Sequence, residues 1–306
     1  MNVFVYTDLP GHLQSRLRKE LAGHNVSFRK DDATPPASFK DAEFLLGNPP
    51  SKWIEDAKKL TYWQLDSAGF DQYSKLSVSF PVSNMGDFFA VKCAETIVGG
   101  ILAFYRSIHE LVRLQTKSKW VGKPIRYQMD LLTGKKVIIA GAGTIGMAIR
   151  KILSGFDCEI EMTARKNPEA TIHSKEELLR CLPETDLLIN TLPGSARHFI
   201  DEACFKAMKK GSLYASVGRG STTDETALID ALRSAKLAGA VLDVTEKEPL
   251  PEDSPLWKME NVILTQHTAG GYKYEDDGKV DLFIKNLNRI QRGDEALHRV
   301  KLGDAG

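Results

Sequence analysis

The chain has 306 residues, with 41 Lys and Arg against 40 Asp and Glu, for a formal net charge of +1 at neutral pH. That length holds one large α/β domain or two ordinary ones with a real core, and the balanced charge leaves no broad basic field for nucleic acid. The longest apolar run, residues 96 to 105, is too short to cross a bilayer, and MNVFVYTD at the start lacks the basic segment of a secretory leader.

The 4 cysteines, Cys93, Cys158, Cys181 and Cys204, show no paired spacing for zinc, so a reducing cytoplasm is the expected setting and no metal is expected. From the amino end, VFVYT (3 to 7), EFLLG (43 to 47) and TYWQL (61 to 65) are short apolar runs separated by helix-like stretches such as HLQSRLRKELAG. Strands alternating with helices predict a parallel sheet covered on both faces. This unit closes near FPVSN (80 to 84). Residues 87 to 115 then carry apolar residues at helical spacing, over a length that predicts one element spanning two domains.

After a polar, irregular segment with Trp120 and Pro124, VIIAGAG opens a second strand series. It continues through EIEMT (159 to 163), DLLIN (186 to 190), SLYASV (212 to 217), AGAVLDV (238 to 244) and VILTQH (262 to 267). Helices are predicted over 174 to 181 and over 223 to 234, with Asp224 near the start of the latter. VDLFIKNLNRIQRG (280 to 293) is apolar at helical spacing and stops at Gly293; folded back on the first unit, it would make that domain discontinuous.

Gly141, Gly143 and Gly146 follow a β-branched strand and open a helix beginning at Thr144 and Ile145. In that context the first glycine permits a tight turn, the second lets backbone approach a pyrophosphate, and the third lets helix pack on strand. The helix start offers unpaired N–H groups to phosphate. A site for NAD ends its second strand with an acid that holds the ribose 2′-hydroxyl. Here that place holds Ala164, followed by Arg165 and Lys166, with Thr163 before them. An Asp would repel a 2′-phosphate, whereas Arg can fork onto it. The expected cofactor is therefore NADP, with the Thr163 hydroxyl adding a bond and NAD remaining possible. Glu159 and Glu161 lie within the strand, and Glu169 lies beyond the turn.

Three more polar residues fall where strands of the second series should end: Arg219 in SVGRGST, Glu248 in LDVTEKEPLP and His267 in ILTQHTAGG. Ligand sites of open parallel sheets lie outside such carboxyl ends. Together with GFD (69 to 71), NMG and AETIVGGIL (84 to 102), LTGKKVIIAGAGTIG, NTLPGSARHFI and NLNRIQRGDEAL, they resemble the D-isomer-specific 2-hydroxyacid dehydrogenases. The resemblance covers most of the chain, with the stronger motifs in the second domain.

That resemblance implies an α/β fold of two doubly wound parallel-sheet domains. A Rossmann cofactor domain (99 to 275) is inserted into a flavodoxin-like substrate domain (1 to 98 and 276 to 306). It implies that Arg219 binds the carboxylate of a small 2-oxo acid and polarises its carbonyl. His267 is then the general acid in reduction, and Glu248 the partner of its other ring nitrogen. Glu246 is the rival acid; Glu248 is preferred because the family's acid immediately precedes a proline, here Pro249. Asp243 matches a residue that bonds the nicotinamide carboxamide, or else caps a turn. Leu192 and Pro193 fall among the cofactor contacts, and the backbone N–H groups of Ala68 and Gly69 match a second carboxylate contact from the first domain. GNPP (47 to 50) departs from the family's usual loop, which bears on pocket shape.

The expected activity is NADPH-dependent reduction of a glyoxylate- or hydroxypyruvate-like acid to the D-2-hydroxy acid, in a homodimer with Trp120 at its interface. The alternative is a cofactor-sensing protein without turnover, like corepressors that share this fold.

Overall fold

The structure is a computed structural model that describes residues 1–30 and 34–303. In chain order the first elements are β1 (Asn2–Val5), α1 (Gly11–Glu20), β2 (Asn25–Phe28), α2 (Ala37–Lys40), β3 (Phe44–Leu46), α3 (Ser51–Asp56), β4 (Tyr62–Gln64) and β5 (Val82–Ser83). Then come α4 (Ala90–Tyr105), α5 (Ile108–Thr116), α6 (Lys123–Arg126), β6 (Lys136–Ala140), α7 (Thr144–Leu153), β7 (Glu159–Thr163), α8 (Lys175–Cys181) and β8 (Leu187–Asn190). The chain ends with α9 (Glu202–Ala207), β9 (Ser212–Ser216), α10 (Glu225–Arg233), β10 (Leu237–Leu242), β11 (Val262–Leu264), α11 (Glu275–Gln291) and β12 (Arg299–Val300).

Residues 1–89 and 272–306 form one compact unit, and residues 90–271 the other. The first unit has a sheet of order β12-β5-β4-β3-β1-β2, parallel throughout except where β12 runs antiparallel to β5. Its carboxyl-terminal helix returns to it for a reason visible in the residues. Val280, Phe283, Ile284 and Leu287 repeat at three- and four-residue spacing, so one stripe of α11 is buried with Leu13 and Leu17 of α1. A polar clip fixes the register: buried Asn286 donates to Gln64 Oε1 at 2.8 Å and accepts from Leu297 N at 2.7 Å. Fully desolvated amides of this kind hold position because leaving either unpaired is costly.

The second unit has an all-parallel sheet of order β11-β10-β9-β8-β6-β7. The order reverses beside β6, so the loop that follows β6 opens at the place where such sheets bind ligands. The core on one face includes Leu188, Phe205, Tyr214, Leu228 and Leu242. Helix ends follow side-chain chemistry. Ser174, Asp201 and Asp224 cap α8, α9 and α10 by accepting the N–H groups of Glu177, Cys204 and Ala227.

The segment expected as one long helix is two. Ser107 takes the left-handed conformation, φ 50, and divides α4 from α5. Both belong to the second unit, because α4 buries Ala94, Ile97, Val98 and Ile101 and packs along α7 and β10. The units accordingly divide after residues 89 and 271, rather than after 98 and 275. The four cysteines are free thiols, Cys93 and Cys204 buried and the other two half-buried.

Candidate active site

The glycine-rich turn is shaped by contacts that only small residues allow. Gly141 sits at φ 113, and a Cβ there would lie 2.5 Å from Thr191 Oγ1. At Gly146 a Cβ would run into the Gly141 carbonyl, so this residue lets α7 close on β6. At Gly143, by contrast, a Cβ would meet nothing within 4 Å. The space over Gly143 is the room a pyrophosphate needs beside the backbone. No side chain caps α7, and its first turn has no acid. Thr144 is exposed and Ile145 half-buried at that helix start, which presents its N–H groups to an anion. These residues fit a dinucleotide.

At the end of β7, Ala164 is half-buried while Arg165 and Lys166 are exposed, and neither cation forms an ion pair among the described residues. Glu169 is engaged by Arg150 at 2.6 Å. Thr163 is buried, and its Oγ1 accepts the Gly141 N–H at 3.2 Å, so it braces the glycine turn. No sequence motif marks Asn167. Its side-chain amide donates to the Ala142 carbonyl at 2.8 Å and its Oδ1 accepts from Glu169 N, which ties the cationic loop to the glycine turn. Leu192 and Pro193 follow β8, with the Leu192 N–H held by Asn190 Oδ1 at 3.1 Å.

Arg219, Glu248 and His267 leave the carboxyl ends of β9, β10 and β11, which are neighbours in the sheet. His267 Nδ1 and Glu248 Oε2 are 2.6 Å apart, and Glu248 Oε1 accepts the Thr245 N–H at 3.0 Å. One carboxylate oxygen is thus fixed by backbone while the other orients the ring. His267 Nε2 has no hydrogen bond among the described residues. Gln266 and His267 both adopt left-handed backbone, φ 55 and 56, which costs on the order of 1 kcal/mol or more per residue without glycine. The turn is held there by Asp243. Its backbone carbonyl accepts His267 N at 2.6 Å, and its Oδ1 accepts Thr265 Oγ1 at 2.6 Å and the N–H groups of Thr268 and Ala269 at 3.0 Å each. The turn-capping role weighed for Asp243 is therefore present in the structure.

Glu246 turns elsewhere. Its Oε1 lies 2.6 Å from His198 Nε2 and 3.4 Å from Arg197 Nη2, so the two acids of TEKEP serve two different histidines. Nearby, burial pushes the Glu225 carboxyl up, and the charge of Glu246 adds to that effect. Arg219 is half-buried, with Nη1 donating to the Gly218 carbonyl at 2.9 Å. A cavity of ≈ 410 Å³ in this unit is lined by Asp243, Glu248 and His267 against apolar Leu250, Trp257 and Leu264; Arg219 is not part of that lining.

In the first unit, Ala68 and Gly69 are half-buried in the loop after β4. Their carbonyls are satisfied by Asn84 Nδ2 and Ser67 Oγ, each at 2.6 Å, whereas their N–H groups have no partner among the described residues. Asn48, within the GNPP departure, supports this loop from Oδ1 to Asp66 N at 3.3 Å and from Nδ2 to Ser67 Oγ at 2.9 Å. Nothing in the local pattern marks Asn48, since its partners lie 18 and 19 residues away.

Comparison with known proteins bears on the family and the fold. The family model for the D-isomer specific 2-hydroxyacid dehydrogenase, NAD binding domain, matches residues 98–269. Glyoxylate/hydroxypyruvate reductase A of Citrobacter koseri is 29% identical over 299 residues, covering 93% of this chain and 92% of that protein. Glyoxylate/hydroxypyruvate reductase A HPR2 of Arabidopsis thaliana is 33% identical over 211 residues, 67% of this chain and 66% of its own length. Among solved structures, a D-isomer specific 2-hydroxyacid dehydrogenase family protein from Aeromonas salmonicida superposes with TM-score 0.85 at 25% identity, covering 98% of this chain and 99% of that one. An NADPH-dependent glyoxylate/hydroxypyruvate reductase from Sinorhizobium meliloti, in complex with NADP and malonate, gives TM-score 0.78 at 25% identity over 97% and 96% of the two chains.

Proposed function

The chain belongs to the D-isomer-specific 2-hydroxyacid dehydrogenases, oxidoreductases with a nicotinamide cofactor, and we propose that it reduces a small 2-oxo acid of the glyoxylate or hydroxypyruvate kind with NADPH. The observation that carries the reading is the 2.6 Å pair of His267 and Glu248 on the ends of adjacent strands. The two exposed cations after β7, which form no ion pair among the described residues, support NADPH over NADH.

The cofactor, when bound, supplies the hydride. Gly141, Gly143, Thr144, Ile145 and Gly146 would hold its pyrophosphate, and Leu192 and Pro193 are assigned to further contacts with the cofactor. Arg165 and Lys166 attract the 2′-phosphate, with Ala164 placing no acid in its way. Asp243 keeps Oδ2 for the carboxamide while Oδ1 braces the histidine turn. Arg219 binds the substrate carboxylate through a planar fork that matches a planar anion and draws charge from the 2-oxo group. In the first unit, the Ala68 and Gly69 N–H groups, which have no partner among the described residues, are donors suited to a carboxylate. Glu248 fixes which ring nitrogen of His267 faces inward, so that Nε2 gives its proton to the developing alkoxide. In the reverse direction Nε2 takes that proton back.

The test follows loss of NADPH absorbance with glyoxylate and with hydroxypyruvate, beside a His267→Ala variant. The variant is expected to lose roughly a hundredfold or more in turnover while its fluorescence-titrated NADPH affinity stays unchanged. Turnover equal to wild type in that variant removes the histidine from the chemistry. No turnover by the wild-type protein with either acid rejects the substrate class.

A further inference from the structure

Beneath the strand ends that carry Arg219 lies a buried polar network that the roles above do not use. Asn190, the last residue of β8, is fully buried, as are Tyr214 and Thr222. Asn190 Nδ2 donates to Thr222 Oγ1 at 2.7 Å and to the Tyr214 hydroxyl at 3.0 Å, while its Oδ1 takes the Leu192 N–H. Thr222 Oγ1 then donates to the Arg219 carbonyl at 2.6 Å, and Thr222 N donates to the same oxygen at 3.1 Å. The direction is forced: an amide nitrogen only donates, so the threonine oxygen accepts there and its single proton goes to Arg219. Burial pushes the Tyr214 hydroxyl up to about 12, so this neighbour stays a neutral hydrogen-bonding group at ordinary pH.

We propose that Asn190 and Thr222 are positioning residues for substrate recognition. Their relay anchors the backbone of Arg219 and ties it to the turn at Leu192. A long side chain multiplies any backbone tilt at its root, so a carboxylate-binding fork needs its Cα fixed from inside the protein. The proposal rests on the reading of Arg219 as the carboxylate clamp.

The experiment uses the full chain with Thr222→Val, which keeps the shape and removes the hydroxyl, and Thr222→Ser, which restores it. Thr222→Ala is a second hydroxyl deletion should valine fail to fold, and Arg219→Ala is the control. The quantities measured are the Kd for oxamate by calorimetry with NADPH present, KM for glyoxylate, the Kd for NADPH and the melting temperature. Loss of one hydrogen bond at this anchor should weaken oxamate binding and raise KM by roughly tenfold, with NADPH affinity held within about twofold and serine restoring both.

Unchanged oxamate binding in the hydroxyl deletions, with Arg219→Ala defective, overturns the relay alone. So does an equal loss of oxamate and NADPH binding alongside a lowered melting temperature, which marks general destabilisation. Oxamate binding that survives Arg219→Ala, or that is absent in wild type, overturns the clamp reading and the relay with it.

Discussion

Reversing charge at Arg165 tests the cofactor reading most directly. Arg165 and Lys166 are exposed and without ion pairs among the described residues, and the nearest acid in the loop, Glu169, is held by Arg150 at 2.6 Å. A phosphate ester carries about one and a half to two negative charges. At an ion-pair spacing of about 4 Å, each unit pair is worth about 1 kcal/mol in a water-like dielectric, the limit suited to an exposed side chain. With a Debye length of about 8 Å at physiological salt, screening leaves the attraction at about 1 kcal/mol in total. Arg165→Asp removes this and substitutes a similar repulsion, about 2 kcal/mol in all, or roughly thirtyfold in NADPH affinity. NADH has a hydroxyl at that place and keeps its affinity. Initial rates with both cofactors should show the ratio of kcat/KM moving about thirtyfold toward NADH, and the shift should shrink near 1 M salt, where the screening length is about 3 Å. A parallel loss with both cofactors, or an unchanged ratio, refutes the reasoning.

Glu248→Gln should lower turnover at least about tenfold while Glu246→Gln stays near wild type, because only Glu248 meets His267; steady-state rates showing the reverse order would reject the pairing. Trp120 is 97% exposed in the single chain, and the homodimer expected from the family resemblance places it at the interface, so sizing at micromolar concentration should find a dimer that Trp120→Ser weakens; a monomeric wild type would defeat this. At Asp186, burial pushes the carboxyl up, but Lys209 at 2.7 Å and the Lys136 N–H at 3.0 Å outweigh it and leave the group below its ordinary range. A depressed carboxyl contributes stability above its unfolded value near pH 4 and loses it as pH falls through the folded value. The melting temperature of Asp186→Asn should therefore lie below wild type at neutral pH and converge with it on acidification below about pH 4; a constant gap would be evidence against the linkage.

Much of the scaffold was legible from residue patterns. EIEMT is β7 over the expected 159–163, and the helices expected at 174–181 and 223–234 form with Ser174 and Asp224 as their caps. Such features depend on the periodicity of a few neighbouring side chains and on a cap that reaches three residues onward, so they survive in one dimension. Elements with little burial or length were less visible. β2 is an edge strand whose residues are exposed or half-buried, and β12 contributes only two residues to the antiparallel edge. The break at Ser107 was hidden because helical spacing persists across it on both sides, while its left-handed backbone is invisible in residue type.

By itself the sequence determined the alternation of strand and helix, the glycine turn, the absence of an acid after β7, and a short roster of polar residues at strand ends. The tertiary structure alone decided which partners those residues meet. It separated Glu248 from Glu246, two residues apart, by giving each a different histidine. It turned Thr163 inward to Gly141, held the cationic loop through Asn167, and joined Asn190 to Thr222 across 32 residues. Local pattern specifies an element because its cause is the steric and hydrophobic preference of adjacent residues. A hydrogen bond between loops depends on where two strands end in space, and that is settled only when the sheet has assembled.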